Sequence, residues 1–240
     1  MDELLRLDVT VLWTVLWTVM WTVKVVGVSV LAVSVTVELL NWLRRRYKKR
    51  KPLNEVLFFP SEVACVEHLL SPSAPHPCYC ALPHGVDTSF SRLLRHVLSA
   101  SSSLDLCVFA FSNTDLCRAV LSLRKRGVVI RVLSDKDYIA INGSQIGPLR
   151  KAGICVRSDG GAVYMHHKFA LVDGSLLISG SLNWTLTAVQ ANMENLIVTM
   201  EPELVRPFVQ EFNRLWELSD PARTLSNGVQ TELERTAGHD

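Results

Sequence analysis

The stretch 164–183 constrains the fold more than any other part of the chain. It has short apolar runs on both sides of an Asp-Gly pair: Tyr-Met-His-His-Lys-Phe-Ala-Leu-Val-Asp-Gly-Ser-Leu-Leu-Ile-Ser-Gly-Ser-Leu-Asn. Such runs, bounded by turn residues, are typical of adjacent β-strands. Residues two apart on a strand share a face, so His166 and Lys168 are predicted to point to one side of a sheet. His167 then points to the other side, as a packing or surface residue.

The polar residues of this stretch fit chemistry at a phosphoryl centre. An imidazole can attack phosphorus, while an ammonium, a hydroxyl and a carboxamide can bind the non-bridging oxygens that gain charge in the transition state. A lone His-x-Lys pair would indicate only a surface strand, whereas the full spacing favours a catalytic site. The predicted catalytic residues are His166, Lys168, Asp173, Ser181, Asn183 and Glu194. Two roles stay open for Asp173, one catalytic and one structural.

This spacing resembles the signature of the phospholipase D superfamily, H-x-K-x4-D followed by G-S-x-N. The resemblance covers residues 52–217 and is strongest to the single-motif mitochondrial members, called Zucchini endonucleases or mitochondrial cardiolipin hydrolases. Superfamily members build one active site from two signatures, and this chain has one, so the resemblance implies a symmetric homodimer. It implies that one His166 forms a phosphohistidine while the other protonates the leaving oxygen. We expect Glu194 to fix the tautomer of His166, without any cofactor in the chemical step.

The resemblance implies two possible substrates. One is single-stranded RNA, cut in piRNA biogenesis at the mitochondrial surface, and the other is cardiolipin, hydrolysed to phosphatidate. We favour the endoribonuclease on this resemblance; a membrane scaffold with a decayed site is disfavoured because the signature is intact. Few aromatic residues flank the signature in sequence, which predicts weak base stacking. The candidate strand-binding cations are Arg118, Arg124, Lys125, Arg126, Arg150, Lys151 and Arg157.

The N-terminal part, residues 1–43, is predicted to be a membrane anchor with a span at about 9–40. Its apolar stretch is interrupted by Lys24, which leaves runs of 15 and 13 residues, shorter than the ~20 that a spanning helix needs. Together they suffice, because a central Lys costs about 2.5–3.5 kcal/mol and each Leu, Val or Phe returns roughly 0.3–0.6 kcal/mol. The alternative is a buried core helix.

The charges beside the anchor predict its orientation. Residues 44–51 form a basic juxtamembrane segment, so the positive-inside rule places the C-terminal side in the cytosol. The resemblance implies the mitochondrial outer membrane. Residues 1–51 carry nine Lys/Arg against four Asp/Glu, whereas the remainder has sixteen against nineteen. The catalytic part is therefore not a broadly basic nucleic-acid binder.

A cysteine-rich insert, residues 65–80, has the composition of a structural zinc site. It contains Cys65-x2-His68 and Cys78-x-Cys80, which offer a Cys3His ligand set. Spacing alone leaves zinc and ordinary reduced thiols equally open, and the resemblance, which implies an atypical zinc finger here, favours zinc. The neighbouring loop residues His76 and His84 are candidates that we interpret as solvated.

The remaining pattern alternates strand-like and helix-like segments from 52 to 218, which predicts an α/β domain. The resemblance specifies a phospholipase D-type mixed sheet flanked by helices, with one transmembrane helix before it. A helix over 184–190 is predicted to start directly after Asn183, where its first amides could help to bind phosphate. Residues 219–240 lack an apolar period and are predicted to be a disordered tail.

Overall fold

The computed structural model of the protein describes residues 2–47, 52–73, 76–158 and 163–222, with side chains at 9–42 in the first range. The chain divides into two units, 1–51 and 52–240. Residues 48–51 of the basic segment and 223–240 of the predicted tail lie outside the described residues. The helices are α1 (Asp2–Tyr47), α2 (Glu67–Leu70), α3 (Ser89–Leu98), α4 (Thr114–Lys125), α5 (Lys136–Ile139), α6 (Ile146–Lys151), α7 (Leu186–Gln190) and α8 (Pro202–Leu218). The strands are β1 (Asn54–Phe59), β2 (Ser103–Val108), β3 (Val129–Ser134), β4 (Cys155–Ser158), β5 (Lys168–Val172), β6 (Leu176–Gly180) and β7 (Glu194–Thr199).

Helix α1 is long and apolar enough to cross a membrane. The segment Val9–Trp42 has 34 residues and a mean hydropathy of 2.0, and its side chains are exposed. Its hydroxyl groups bond to carbonyls of the preceding turn, as Thr18 does to Thr14 O at 2.9 Å. These bonds satisfy the polar groups within the helix. The exposure of 9–42 differs from that of the buried core helix that was the alternative.

The second unit is built on one seven-stranded mixed sheet in the order β1-β7-β6-β5-β2-β3-β4. Strands β2, β3 and β4 run parallel, and every other neighbouring pair is antiparallel. Helices cover both faces of the central strands, so β2 and β5 are buried along almost their whole length. This architecture confirms the predicted α/β class.

The two sheet faces have separate cores. One core joins α3, α4 and α6 to the sheet through residues such as Leu93, Val120 and Leu149. The other lies under α8, where Phe212 and Trp216 pack against Phe169 of β5. The two cores therefore fix the position of the central strands, and they fix the polar residues at the strand ends as well.

Two short elements beside the signature differ from the sequence prediction. The helix expected over 184–190 begins at Leu186, with the Thr185 side chain accepting a bond from Ala188 N at its start. Trp184 is instead buried, 1% exposed, with its ring edge-on to Phe111. Burial of this large ring outweighs extension of the helix. The first amides of α7 therefore do not follow directly after Asn183. Helix α5 was not predicted, because four residues carry too little periodicity.

Candidate functional site

The strand directions bring the polar signature residues to one edge of the sheet. Strands β5, β6 and β7 are mutually antiparallel, so the start of β5, the end of β6 and the start of β7 lie side by side. We call this the catalytic edge, and the opposite one the distal edge. His166, Lys168, Ser181, Asn183 and Glu194 all lie at the catalytic edge by this topology. Strand β2 also ends there, because Val108 pairs with Lys168.

His166 and Lys168 are in direct contact. The Lys168 Nζ atom lies 3.2 Å from His166 Nδ1 and 3.4 Å from Nε2, and it donates to the His166 carbonyl at 2.9 Å. His166 is exposed, whereas Lys168 is half-buried. Burial lowers the pKa of Lys168, and the nearby Glu194 carboxylate opposes that shift. An accessible imidazole thus lies beside a cation that can bind a phosphoryl oxygen.

His167 faces the other side of the sheet, as strand alternation predicted. Its Nε2 atom lies 3.7 Å from Glu211 Oε1 of α8, and its ring is edge-on to Phe169. His167 therefore packs against the α8 face and does not enter the catalytic edge.

Ser181 and Asn183 are fixed by the segment that leaves β6. Ser181 Oγ accepts a hydrogen bond from Asn195 N at 3.1 Å, which leaves its hydroxyl hydrogen for a ligand. Among the described side chains, the Asn183 Oδ1 atom is buried without a hydrogen-bond partner. The next residue, Trp184, accepts bonds at its carbonyl from Ser112 N and Asn113 N, both 2.9 Å. The β2–α4 loop thus holds this segment in place.

Glu194 lies at the start of β7, close enough to Lys168 to affect its pKa. Its carboxylate accepts a hydrogen bond from Asn192 Nδ2 at 3.1 Å. Within the described part of a single chain, no hydrogen bond joins Glu194 to His166. The expected control of the His166 tautomer by Glu194 therefore stays a prediction.

Asp173 lies at the distal edge, apart from the other five predicted catalytic residues. It follows Lys168 by five positions, about 16 Å along an extended strand. Its carboxylate accepts hydrogen bonds from five donor groups, the Ser101, Ser102 and Ser103 amides and the Ser101 and Ser102 hydroxyls, all between 2.7 and 3.1 Å. Of the two roles left open for Asp173, this geometry supports the structural one.

Phe109 packs directly against His166 and connects it to two tyrosine rings, although few aromatic residues flank the signature in sequence. The Phe109 ring lies 4.3 Å from the His166 ring and 4.0 Å from the Tyr138 ring, measured between centroids. Tyr164 is edge-on to Phe109 at 6.4 Å, and Lys168 Nζ lies 5.1 Å from the Phe109 centroid. Phe109 follows β2 and Tyr138 belongs to α5, so only the tertiary fold brings them to the signature. The expectation of weak stacking rested on sequence neighbours alone and did not include these spatial neighbours; it stays a prediction.

Three of the seven candidate strand-binding cations already form bonds within the protein, and the other four lie away from His166. Arg118 bonds to Glu67 at 2.7 Å, Arg126 to the carbonyls of Leu98 and Ala100, and Arg157 to Asp220 at 3.1 Å. The other four lie at the C-terminal ends of two helices: Arg124 and Lys125 on α4, Arg150 and Lys151 on α6. These ends lead into the starts of β3 and β4, which belong to the distal edge. They do not form a groove beside His166.

The cysteine-rich insert brings together three of the four predicted zinc ligands. The ligand atoms of Cys65, Cys78, Cys80 and His84 lie within 4.8 Å of one another. The fourth member is His84 and not His68, although both histidines line one pocket of about 480 Å³ together with Cys65 and Cys78. His84 Nε2 lies 3.4 Å from Cys80 Sγ. Three thiols and one imidazole are a donor set that fits tetrahedral zinc.

Backbone bonds give the cysteine cluster its shape. Cys65 N donates to the Pro83 carbonyl at 2.8 Å, which closes the loop and brings His84 to the cysteines. A hydrogen bond from the Leu82 backbone lowers the pKa of the Cys80 thiol, with help from the other two sulfur groups. The sequence favours His68, because two ligands then come from each side of the loop, and His84 is interpreted there as a solvated loop residue.

Comparison with known proteins identifies the family. A family described as "Cardiolipin synthase, PLD-like domain" matches residues 93–216. A Danio rerio protein named mitochondrial cardiolipin hydrolase is 64% identical over 201 residues, covering 83% of this chain and 88% of the relative. The Homo sapiens protein of the same name is 51% identical over 208 residues, with 83% and 82% covered.

Solved structures show the same fold at lower identity. The phospholipase D family member Nuc from Salmonella typhimurium superposes with a TM-score of 0.56 at 22% identity, covering 71% of this chain and 97% of that one. NucT from Helicobacter pylori gives 0.54 at 21% identity, with 70% and 97% covered. The chain therefore belongs to the phospholipase D superfamily, in the family of the mitochondrial cardiolipin hydrolases, and is a phosphodiester hydrolase.

Proposed function

We propose that two copies of this chain form one catalytic site that cuts single-stranded RNA through a phosphohistidine intermediate. The observation that carries the chemistry is the contact between His166 and Lys168, at 3.2 Å, on an exposed sheet edge. Among the described residues of one chain, this edge provides a nucleophile and phosphate ligands, but no second histidine to protonate the leaving oxygen. A two-fold axis beside the catalytic edge would supply that group from the second copy.

In the first step, an unprotonated ring nitrogen of one His166 attacks phosphorus, and the bond to the leaving oxygen breaks. The second copy's His166, protonated, gives its proton to that oxygen. Water then attacks the phosphohistidine, transfers a proton to the second copy's His166, and releases the first imidazole. Lys168, with the Ser181 hydroxyl and the Asn183 carboxamide, binds the non-bridging oxygens throughout. Apart from the substrate and the attacking water, each step uses only groups of the protein.

The substrate assignment to RNA is supported by the aromatic rings that cluster on Phe109 beside His166. Phe109, Tyr138 and Tyr164 provide faces on which bases can stack. The second candidate is cardiolipin, hydrolysed to phosphatidate, and it is supported by the name shared by the Danio rerio and Homo sapiens relatives. Cleavage of single-stranded RNA would give this chain a role in piRNA biogenesis at the mitochondrial surface.

The proposed place of action is the mitochondrial outer membrane, with the catalytic unit in the cytosol. Support comes from the mitochondrial names of the relatives, the length of the apolar segment Val9–Trp42 and the basic residues at 44–51. Basic residues on one flank favour the cytosolic side for that flank. Cytosolic RNA would then reach the catalytic edge directly.

The deciding experiment assays the full-length protein in nanodiscs, side by side on single-stranded RNA and on cardiolipin vesicles. We expect RNA to be cut with a 5′-phosphate on the product, and His166→Asn to abolish turnover while the dimer stays folded. Release of phosphatidate with no strand cleavage would reverse the order of the two substrates. Retained turnover of folded His166→Asn would refute the covalent mechanism.

The shared site is tested by co-expressing wild-type chains with differently tagged His166→Asn chains. If each active site needs His166 from both copies, activity falls with the square of the wild-type fraction, because mixed dimers are inactive. A linear decrease would place a complete site in each chain.

A further inference from the structure

We propose that Tyr138 and Tyr164 form a base-stacking subsite beside His166, which holds a base next to the scissile phosphate of a single strand. This inference rests on the proposed strand-cleaving function. It adds a specificity-determining pair of residues that lie outside the H-x-K-x4-D and G-S-x-N signature. Its basis is the arrangement of four rings and one cation at the catalytic edge.

The Phe109 ring is the centre of this arrangement. Within 4.3 Å of its centroid lie the ring centroids of both His166 and Tyr138, with interplanar angles of 60° and 46°. Lys168 Nζ lies 5.1 Å away and the Tyr164 centroid 6.4 Å away. Nucleophile, phosphate-binding cation and both tyrosines therefore contact one common ring. A group bound against a tyrosine would be at a fixed distance from the phosphorus that His166 attacks.

Asp135 ties the two tyrosines to each other through the backbone. It is 1% exposed and follows β3, which ends at the catalytic edge. Its carboxylate accepts a bond from Asp137 N at 3.0 Å, inside the turn that carries Tyr138. It also accepts a bond from Met165 N at 3.2 Å, between Tyr164 and His166. This buried carboxylate orders both ring-bearing segments before any substrate arrives.

Tyr164 is the ring most available to a ligand. Its side chain is 65% exposed, although the next residue, Met165, is buried at 6%. A large aromatic ring held on an ordered backbone loses little conformational entropy when a partner stacks on it. Tyr138 is half-buried against Phe109 and would support one edge of the bound group.

A nucleobase fits this subsite better than an acyl chain. Every base has a flat π-face for stacking, and the base is joined to the phosphate through one sugar, which allows both to be bound at once. An acyl chain would need a continuous apolar channel, whereas the groups contacting Phe109 are a cation, an imidazole and two phenols. The pair therefore points to a polynucleotide.

The test measures cleavage at each linkage of a labelled single-stranded RNA, with and without one abasic residue. Full-length protein in nanodiscs without cardiolipin is compared as wild type, Tyr164→Ala, Tyr164→Phe and Tyr138→Leu. Stacking on an aromatic side chain typically changes binding by roughly 5- to 150-fold per base. We expect wild type to cut beside the abasic residue about tenfold more slowly than at ordinary linkages. Tyr164→Ala should cut ordinary linkages about tenfold more slowly than wild type and should cut beside the abasic residue at the wild-type rate, so that the two rates become equal. Tyr164→Phe should keep the wild-type difference between the two rates.

The outcomes separate this inference from the proposed function. If wild type cuts strands and Tyr164→Ala and Tyr138→Leu keep the wild-type ratio between ordinary and abasic linkages, the subsite is refuted and strand cleavage stands. If wild type hydrolyses only cardiolipin vesicles, both proposals fail together. If Tyr164→Ala reduces cardiolipin hydrolysis as strongly as strand cleavage, the rings serve both substrates and the base-specific role is overturned.

Discussion

Asp173 shows how one residue of a signature can act at a distance from the chemistry. It has a positive φ of 51° and accepts its hydrogen bonds from the turn 101–103 that leads into β2. Its own amide donates to Ser103 O at 2.9 Å. These bonds fix the register of β2 against β5, in which Leu104 pairs with Val172 and Val108 with Lys168. The register in turn places Phe109 beside His166.

Asp173→Asn is expected to lower stability in a pH-dependent way. Burial would raise the pKa of Asp173, but the bonds from Ser103, Ser102 and Ser101 outweigh it and hold the pKa well below its usual range. Since the folded-state pKa lies below the unfolded-state value, the stabilisation is complete above about pH 4 and is lost as the pH falls further. Asn tolerates the same positive φ, so only the charged acceptor changes.

Denaturant unfolding at several pH values checks this prediction. Hydrogen bonds to a charged group contribute about 1.5–3 kcal/mol, so the variant should lose about that much free energy of unfolding at pH 7. The gap should narrow at pH 3. An equal gap at both pH values, or a loss of turnover with unchanged stability, would contradict a structural role for the Asp173 carboxylate.

At the level of elements, β6 and β7 approach so closely at the signature that only glycine fits. A Cβ atom on Gly180 would lie 2.1 Å from the Asn195 carbonyl oxygen, far inside any real contact. Gly180 pairs with Leu196, and the next residue, Ser181, donates its amide to that same Asn195 oxygen at 3.1 Å. The glycine of G-S-x-N thus sets the strand spacing that orients Ser181.

Gly180→Ala is therefore expected to cost more than a typical overpacking substitution of about 1–3 kcal/mol, because the obstructing atoms are backbone. Activity should fall with stability, since Ser181 moves with β6. Gly147→Ala is the matched control: a Cβ there meets nothing within 4 Å, and the residue lies in helix α6. Thermal unfolding and turnover of both variants give the comparison. A Gly180→Ala protein as stable as the control would refute the close-approach argument.

Local periodicity predicts where some helices and strands lie in the sequence, but it cannot predict which of them are in contact in the fold. The sequence indicated adjacent strands on both sides of the Asp-Gly pair in 164–183, and the structure has β5 and β6 there. It did not indicate that β1 pairs with β7, nor that Tyr138 meets Phe109, because both contacts join segments distant in sequence. The signature residues were found because a short stretch of chain carries both their type and their spacing.

The zinc ligands illustrate the same limit and give a sharp test. We expect about one zinc per chain, because three thiols and one imidazole within 4.8 Å fit tetrahedral coordination. Histidine choice separates the two ligand sets: His84→Ala should lose zinc, and the matched variant His68→Ala should retain it. Metal analysis of the purified proteins measures this directly. Loss of zinc from His68→Ala alone would restore the set expected from sequence, and absence of zinc from wild type would reduce the cluster to ordinary thiols.

At the scale of the whole molecule, charge and hydrophobicity are divided between two units. Residues 1–51 hold the apolar helix and a net positive charge, while the remainder, with sixteen Lys/Arg against nineteen Asp/Glu, is slightly acidic. The second unit contains its own sheet and both apolar cores. Affinity for a polyanion must then come from a few groups at the catalytic edge, such as Lys168, so it should depend only moderately on salt.

Removal of residues 1–43 is expected to leave a soluble, active dimer. The two cores of the second unit draw their buried residues from 57 to 216, so the deleted helix takes none of them away. The deleted part exposes large apolar side chains along 9–42, which favours membrane insertion of the intact chain. Carbonate extraction of membranes tests insertion, since an integral protein stays in the pellet while a peripheral one is released. Sedimentation and turnover of the truncated protein test the rest. Release of the full-length chain by carbonate would refute the anchor, whereas an aggregated or inactive truncated protein would show that the catalytic unit depends on it.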